Sequence, residues 1–589
     1  MKRRSKTPIC LAETMKIVLC PDGEDSEDSF DEEEFSKNDF YPSAVLDVDC
    51  QGIELENKDE NDDDDDIPLS MLYLNMKKKP VTCNIPLWGK SEWVPPEDIS
   101  WKGKLFIDES LNDLTPLEFF NMIFDENLVR HITEQTNMYA LQSKGKELGL
   151  HETELKAFLG ILMKCGIVKP PTYRYFWNKL SRYDKVADAM TRDRFEEIKS
   201  FLHFNDNTKL KPANHPEFDK LFKIRPVIDS IRNNCLKVPQ EEHQAVGEQM
   251  IPTEAHIPLK QYNPKKAHKW GYKVISRAGE SGFVHDFIIY TGKGTIEDTE
   301  NIGLSSSFVL KLTEDVPKKQ NYKVYFDNWF SSLALTSILK DQGILCVSTV
   351  RHNRLKGTLF KDTKQLKMEG RGSFDYCVEK VSDCIAIKWH DNKEVHLLSN
   401  YAGIEPLDKC SRWDGKLNKK IEIDRPFAIN EYNQYMGAVD LSDMFIELYR
   451  INFKSRKWYM RIFFYLLDLS VVNAWLLQRR IRRHTQTGKE TSLLSFKDDI
   501  SAAFMTKDSS ERGRPSESEK PKESKRRKVG AHPADSTRLD KISHWPEWDS
   551  SQHRCRVCVN AHTKVKCSKC DVGLCFTKNR NCFRQYHDK

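Results

Sequence analysis

Three aspartates stand where a carboxylate could bind a metal ion. Asp327 ends a strand-forming run, VYF at 324–326, and Asp440 and Asp443 lie one helical turn apart after Gly437. Two carboxylates from separate elements are what a two-metal phosphoryl-transfer site requires. Taken alone, however, each aspartate is more often a turn or cap residue, so the acids leave both interpretations open.

The C-terminal residues carry a second set of candidate metal ligands. These are Cys555, Cys558, Cys567, Cys570, Cys575, Cys582 and His587. Two Cys-x2-Cys pairs with a downstream Cys/His set predict two interleaved structural zinc sites. Two closed sites need eight ligands, and only seven are evident. His562 is one candidate for the eighth, and the alternative is that a ligand has been lost near Thr577 and Lys578.

Composition divides the chain into folded and polar parts. Of 589 residues, 31% are charged and 39% hydrophobic, which suggests several folded units with disordered segments between them. The acids crowd into the first seventy residues, so we predict a disordered acidic N-terminal region over residues 1–100. We see no secretory signal in the sequence, which favours metal ligands over disulfides for the paired cysteines.

The elements that must position the candidate ligands alternate along the chain. Helical periodicity covers 113–235, strands alternate with helices over 243–350, and 351–425 is richer in strands. The last of these predicts a hairpin that turns at His390–Asp391–Asn392. The apolar run at 463–477 includes Asp468 and Asn473 and is too short and polar to span a bilayer, so it predicts a buried helix and no membrane partner.

Basic residues suggest contact with nucleic acid. KRRK (Lys525, Arg526, Arg527, Lys528), in a basic linker predicted to be disordered over 501–550, has the pattern of a nuclear import signal, or is an unread basic patch. Arg512 and Arg514 in RGRP resemble the core of an AT-hook. The cluster Arg479, Arg480, Arg482 and Arg483 ends an apolar helix, where it could contact phosphate or cap the helix carbonyls.

Several motifs occur in an order that is similar to one protein family. They are LKAFLGILMKCGIVKPPTYRYFW, RDRFEEIKSFLHFND, KWGYKV, YFDNWFSS, YNQYMGAVDLSD, KWYMRIFFYLLDLSVVNAW and CSKCDVGLC. Over roughly residues 100–589 the chain resembles the piggyBac family of DNA transposases and, more closely, the host proteins derived from piggyBac elements.

The resemblance implies a specific architecture. The fold class is an RNase H-like α/β catalytic core with a β-rich insertion, an α-helical dimerisation and DNA-binding domain, and a cross-brace zinc finger that in this family reads element ends. The implied ranges are 240–350 and 426–455 for the core, 351–425 for the insertion, 113–239 and 456–500 for the helical domain, and 551–589 for the zinc finger.

The resemblance also implies a catalytic triad of aspartates that holds two divalent metals. Asp327 matches the second aspartate, Asp440 the third, and Asp443 an auxiliary acid. The first position, however, is Gly247 in AVGEQM, and glycine supplies neither charge nor oxygen. The neighbouring Glu248 should face away from Asp327 and Asp440 because adjacent strand residues point to opposite faces, unless a bulge turns it inward.

We therefore expect a nuclear, domesticated transposase-derived protein that binds DNA as a homodimer, influences chromatin or transcription, and no longer transfers strands. Its cofactor would be structural Zn²⁺, with Mg²⁺ needed only if the core is active. One alternative is an active transposase or nuclease with a rearranged acid set. Another is a protein-interaction scaffold that uses the acidic N-terminal region and the zinc module without DNA.

Overall fold

A computed structural model describes most of the chain beyond residue 85. The described residues are 86–104, 109–145, 147–255, 257–264, 266–415, 417–486, 490–506, 538–558 and 561–588. The chain divides into two compact units, 1–507 and 508–589. The acidic run of the N-terminal region, the RGRP arginines Arg512 and Arg514, and the KRRK motif at 525–528 lie outside the described residues.

Among the described residues, helices dominate positions 109–237 and return near the end of the larger unit. They are α1 Pro116–Ile123, α2 Glu126–Lys144, α3 Glu152–Ile167, α4 Asp184–Ala187, α5 Arg192–Phe201, α6 Arg225–Lys237, α7 Leu304–Leu312, α8 Leu333–Asp341, α9 Thr363–Glu369, α10 Phe427–Tyr435, α11 Ala438–Leu448, α12 Trp458–Thr485, α13 Leu493–Met505 and, in the smaller unit, α14 Cys582–His587.

The strands form one large sheet and three short hairpins. They are β1 Trp88–Gly89, β2 His243–Pro252, β3 Gln261–Tyr262, β4 Trp270–Gly279, β5 Val284–Ile289, β6 Lys323–Phe326, β7 Leu345–Thr349, β8 Phe374–Glu379, β9 Ile385–His390, β10 Glu394–Ser399, β11 Asp408–Asp414, β12 Lys419–Arg425, β13 Pro546–Arg554, β14 His562–Cys567, β15 Phe576–Thr577 and β16 Arg580–Asn581.

Local sequence explains where the first helices begin. Thr115 and Glu118 form a capping box at α1: the Thr115 N–H donates to Glu118 Oε2 (2.7 Å), and the Glu118 N–H donates to Thr115 Oγ1 (3.3 Å). Pro116 occupies the first helical turn, where its missing N–H costs no hydrogen bond. Asp125 caps α2 through its side chain alone, since its carboxylate accepts from the Leu128 N–H (2.8 Å).

The long helix α12 forms the centre of the helical part. By length and composition it is the one helix of the described residues that could cross a membrane, but 94% of its most apolar window is buried within the protein. The buried helix predicted for 463–477 is thereby confirmed. Helix α13 packs against α3, where Gly160 allows close approach: a Cβ on Gly160 would lie 2.9 Å from the Ser501 carbonyl oxygen.

The central strands combine antiparallel and parallel pairing. The order through the middle of the sheet is β10-β7-β6-β2-β4, with β3 and β5 both paired to β4. β2 is antiparallel to β4 and parallel to β6, and β6 is parallel to β7. Because β2 and β6 are parallel neighbours, the residues that follow β6 lie next to the middle of β2.

The strand-rich region over 351–425 extends the same sheet. β9 and β10 pair antiparallel from Ile385↔Ser399 to His390↔Glu394, which confirms the hairpin predicted to turn near His390. β11 and β12 form a separate two-stranded sheet. The strand-rich character predicted for 351–425 is present as strands β8 to β12.

Two predicted boundaries need correction. The N-terminal region cannot be disordered as far as residue 100, because β1 pairs with β8 and Trp88 is buried against Val350 and Leu398. At the other end, α13 runs to Met505, inside the segment assigned to a linker from 501. In both cases a few apolar side chains find partners far away in sequence, which composition alone does not reveal.

Candidate functional site

The acids are positioned by three elements that meet at β2. Asp327 directly follows β6, while Asp440 and Asp443 lie on α11, which packs against β2. The contact is made at Gly247, where a Cβ would lie 3.1 Å from Val439 Cβ. Gly247 therefore faces the helix that carries Asp440. A larger side chain at Gly247 would require Val439 to shift by a few tenths of an ångström.

Asp327 acts as a turn residue in this structure. Its Oδ1 accepts a hydrogen bond from the Trp329 N–H (2.9 Å), and its carbonyl accepts from the Phe330 N–H (3.2 Å). Burial raises the pKa of Asp327 above its usual value, and the charge of Glu248 acts in the same direction. The sequence left open whether Asp327 is a metal ligand or a turn residue, and its hydrogen bonds are those of a turn residue.

Glu248 lies beside Asp327 but is bound to a cation. Lys273 Nζ lies 2.6 Å from Glu248 Oε1 and 4.0 Å from the centre of the Trp329 ring. Asn263 Nδ2 donates to Glu248 Oε2 (3.1 Å). The register of β2 with β4 runs without a bulge, so Glu248 stays on the opposite face from Gly247, as strand alternation predicts. The negative charge of Glu248 nevertheless acts to raise the pKa of Asp327, an effect that strand alternation alone does not predict.

The two acids of α11 have different environments. Asp440 is half-exposed and accepts from Lys266 Nζ (2.8 Å), whereas Asp443 is partly buried and its Oδ1 accepts from Gln249 Nε2 (3.3 Å). Burial raises the pKa of Asp443 to about 7; the charge of Lys266 opposes this, and that of Asp440 adds to it. Burial acts to lower the pKa of Lys266, but the charges of Asp440 and Asp443 raise it overall.

A pair of divalent metals does not fit these residues. Across the part of the chain that the structure describes, groups of three or more Cys, His, Asp or Glu side chains with ligand atoms within 4.8 Å of one another occur only in the smaller unit. Asp327, Asp440 and Asp443 form no such group. Gly247 contributes no oxygen, and Asp440 is already paired with Lys266. In this arrangement Asp327, Asp440 and Asp443 therefore do not form a two-metal site.

The smaller unit, in contrast, contains two complete ligand sets. One set consists of Cys555, Cys558, Cys575 and Cys582, and the other of His544, Cys567, Cys570 and His587. All seven predicted ligands belong to these sets, and the eighth is His544. His562 and the segment at Thr577 and Lys578, which the sequence left open, are outside both sets. The sets alternate along the chain, as in a cross-brace module.

The surroundings of the two histidines are those of metal ligands. His544 Nδ1 lies 3.3 Å from Cys567 Sγ, while His544 Nε2 lies 2.9 Å from Asp540 Oδ1. His587 Nδ1 lies 2.8 Å from the Phe583 carbonyl oxygen, which leaves Nε2 facing Cys570. Such contacts of the second ring nitrogen orient a ligating histidine. Four thiolates in one set, and two thiolates with two imidazoles in the other, fit metal ions such as zinc, which would hold the unit together.

The sequence missed His544 because it lies 11 residues before the first cysteine, in a segment assigned to the linker. A signal was present in principle, since a histidine four residues after Asp540 has the spacing of a helical or turn-borne pair. The same spacing occurs at His553, four residues after Asp549, and His553 belongs to neither ligand set, so only the folded geometry separates the two.

The arginine cluster at the end of α12 is engaged within the chain. Arg480 is buried against Glu241 and donates to the Pro239 carbonyl (2.8 Å). Arg479 and Arg483 both bind Glu490, and Arg482 Nη1 donates to Thr491 Oγ1 (2.7 Å). With 59% of its side chain exposed, Arg483 is more accessible than Arg479 or Arg480. In this arrangement the cluster fastens the end of α12 to neighbouring segments.

Comparisons with known proteins agree with this architecture. Residues 115–475 match a family model described as Transposase IS4. Human PiggyBac transposable element-derived protein 3 is 33% identical over 478 residues, covering 80% of this chain and 76% of that protein. Human PiggyBac transposable element-derived protein 2 is 31% identical over 576 residues, covering 96% and 91%.

A solved structure shares the fold. The cryo-EM structure of a piggyBac transposase synaptic complex with hairpin DNA matches with a TM-score of 0.57 at 20% identity, covering 82% of this chain and all of that one. The fold is thus that of a piggyBac transposase, built from a mixed sheet and flanking helices. The chain belongs to the piggyBac transposase family and its transposable element-derived proteins.

Proposed function

We propose that this protein is a nuclear, transposase-derived DNA-binding protein that no longer cuts or joins DNA. The observation that carries the proposal is Gly247: where the family's first catalytic aspartate is expected, the chain has a glycine whose missing side-chain volume is taken up by Val439. A site that lacks this acid cannot present three carboxylates to two metals.

The order of the central strands supports an RNase H-like origin of the core. The strands β5, β4 and β2 are antiparallel neighbours, and β2, β6 and β7 are parallel neighbours. Asp327 follows the strand next to β2, and Asp440 lies on a helix that packs against β2. This is how a core that once held catalytic acids on adjacent elements would place them.

Charge supports DNA binding by the smaller unit. Residues 538–588 contain ten Lys and Arg against five Asp and Glu. Lys578, Arg580 and Arg584 are exposed on and beside the β15–β16 hairpin, next to the exposed ring of Phe576. Basic side chains around an exposed aromatic ring suit contact with phosphates and bases. The structurally similar piggyBac transposase is complexed with hairpin DNA.

Nuclear location and dimerisation extend the proposal. KRRK at 525–528 has the pattern of an import signal, and the family resemblance assigns the helices around α12 to a dimerisation domain. In the nucleus, a DNA-bound dimer without strand-transfer activity would act through chromatin or transcription proteins.

Gel-shift titration with genomic and element-end DNA tests the proposal. A Lys578→Gln/Arg580→Gln double variant should bind DNA more weakly and with a smaller salt dependence, because two phosphate contacts are lost. Lys364→Gln/Lys367→Gln removes the same charge from exposed positions of α9 and serves as the matched control. Equal binding by both variants would argue against the smaller unit as the DNA contact.

Two outcomes would favour the other functions. Metal-dependent nicking of hairpin DNA by the purified chain would contradict the loss of strand transfer and support an active enzyme with a rearranged acid set. Absence of any DNA binding at low salt would instead favour a protein-interaction scaffold.

A further inference from the structure

A short segment lies across the acids of α11 and β2. The described residues 263–264 and 266–269, between β3 and β4, are called the strap below. Asn263 Nδ2 donates to Glu248 (3.1 Å) and Lys266 Nζ pairs with Asp440 (2.8 Å). His268 Nε2 lies 3.4 Å from Glu447 Oε1, on the last turn of α11.

The strap is held in shape independently of the acids. β3 and β4 pair through Gln261↔Gly271 and Tyr262↔Trp270, and the Asn263 N–H donates to the Lys269 carbonyl (2.7 Å). The rings of Tyr262 and Trp270 lie 4.7 Å apart at its base. Because the hairpin is formed by these contacts, Lys266 is presented to α11 at little further entropic cost.

Lys266 places a positive charge beside the two acids of α11. Its side chain is only 24% exposed, and its ammonium lies against Asp440, one helical turn from Asp443. Two neighbouring carboxylates on one helix face repel each other unless a positive charge lies between or beside them. In a metal-dependent site a divalent ion supplies that charge, and here Lys266 does.

We infer that the strap is a built-in closure of the former catalytic acids, in which the Lys266 ammonium takes the place of a divalent cation and makes the site independent of metal. The inference rests on the proposed function in one respect, because that function identifies these acids as former catalytic residues. A metal ion could reach Asp440 only after displacing Lys266, and the strap would have to move with it.

Thermal unfolding of the full chain with and without added Mn²⁺ or Mg²⁺ tests the inference. No chelator is used, because it would also strip the Cys/His sets of the smaller unit. The wild-type transition of the larger unit should not shift with either ion, and Mn²⁺ electron paramagnetic resonance should detect no binding at the acids. Lys266→Met should lower the Tm by about 2 °C and gain a Mn²⁺-dependent rise of similar size.

Two variants control for charge and for shape. Lys269→Met removes the same charge from an exposed position of the strap and should behave like wild type. Lys266→Arg keeps the cation and should stay insensitive to Mn²⁺. Binding of Mn²⁺ to the acids of the wild-type chain would overturn the inference, even if Lys266→Met fails to fold. A Lys266→Met chain as indifferent to Mn²⁺ as wild type would also overturn it.

The outcome is separable from that of the proposed function. Failure to bind DNA would reject the DNA-binding function and leave the metal readout unchanged. Metal bound at the wild-type acids without any DNA cleavage would reject the closure alone.

Discussion

The acids of the sheet and the Cys/His sets of the smaller unit are both groups of metal-ligating side chains, and they differ in completeness. The smaller unit brings eight donors together in two sets. In the larger unit, Asp327 forms a turn, Asp440 binds Lys266, and Gly247 stands at the position that the family resemblance assigns to the first acid.

The difference follows from what a cation does for each fold. The sheet around β2 has its own core of apolar side chains, including Val246, Phe326 and Phe330, and needs no metal to fold. In the smaller unit the buried residues are largely the ligands themselves, with a few others such as Leu574 and Phe583. We expect a domain with so small a core to depend on bound metal for its stability. A metal that stabilises a fold and a metal that takes part in chemistry therefore place different demands on the residues around them.

The largest expected effect comes from removing one ligand of the smaller unit. Cys567→Ser should reduce the bound metal from two ions to one and unfold residues 538–588, since metal binding to such sites contributes about 10 kcal/mol or more to folding. Metal content by mass spectrometry and limited proteolysis of the full chain measure both effects. His562→Ala is the control and should retain two ions. If His562→Ala loses an ion and His544→Ala does not, the assignment of the eighth ligand is wrong.

A second comparison is between two ion pairs of the larger unit. Asp468 and Lys497 are each only 2% exposed and 2.6 Å apart, whereas Lys266 and Asp440 are 24% and 53% exposed. Asp468→Asn should destabilise the unit by about 3–5 kcal/mol because it leaves a buried charge unpaired. Asp440→Asn should cost about 1 kcal/mol or less. Urea unfolding of both variants measures the difference, and equal costs would mean that the acid site matters more to stability than its exposure indicates.

If the sheet needs no metal, its buried polar groups should govern its stability. Burial lowers the pKa of His243 on β2 to about 4; the charge of Glu242 opposes this and that of Lys323 adds to it. His243 Nδ1 lies 2.9 Å from the Tyr325 hydroxyl, and its ring stacks on Tyr435.

Since the folded chain resists protonation of His243, its stability should be complete above pH 6.5, the ordinary pKa of histidine, and decline as the pH falls toward 4. His243→Gln should remove about 1–3 kcal/mol of this pH dependence. Urea midpoints between about pH 4 and pH 7 measure it. An unchanged slope in the variant would assign the pH dependence to other groups.

The smallest effect concerns Gly247. Gly247→Asp should not restore metal-dependent nicking of hairpin DNA, because Asp440 remains paired with Lys266. The substitution should lower the free energy of unfolding by about 1 kcal/mol, because Val439 must move. Gly294→Asp, at a position with no atom within 4 Å of the new Cβ, should cost less. Cleavage by Gly247→Asp would show that a single acid separates this chain from an active enzyme.

The sequence predicted the local parts of this molecule well. The hairpin at His390, the buried helix at 463–477 and seven of eight metal-set residues were each indicated by spacing over a few residues. Such patterns report which residues share a face of one element or one turn, and that information is local.

Other features were hidden because their partners are distant. His544 is recognised as a ligand only beside Cys567 and Cys570, and Trp88 as ordered only against Val350. The arginines that end α12 looked available for phosphate, yet Arg480 is buried against Glu241, which is 239 residues earlier in the chain. No pattern within a short window contains these pairings.

The sequence by itself determined the family, the paired cysteines and the glycine at position 247, because each is a matter of residue identity and short spacing. Only the tertiary structure decided that Val439 fills the space beside Gly247, that His544 completes a ligand set, and that Lys266 binds Asp440, 174 residues away in the chain. The reason is physical: side-chain partners are chosen by the packing of whole elements, and packing depends on the entire chain at once.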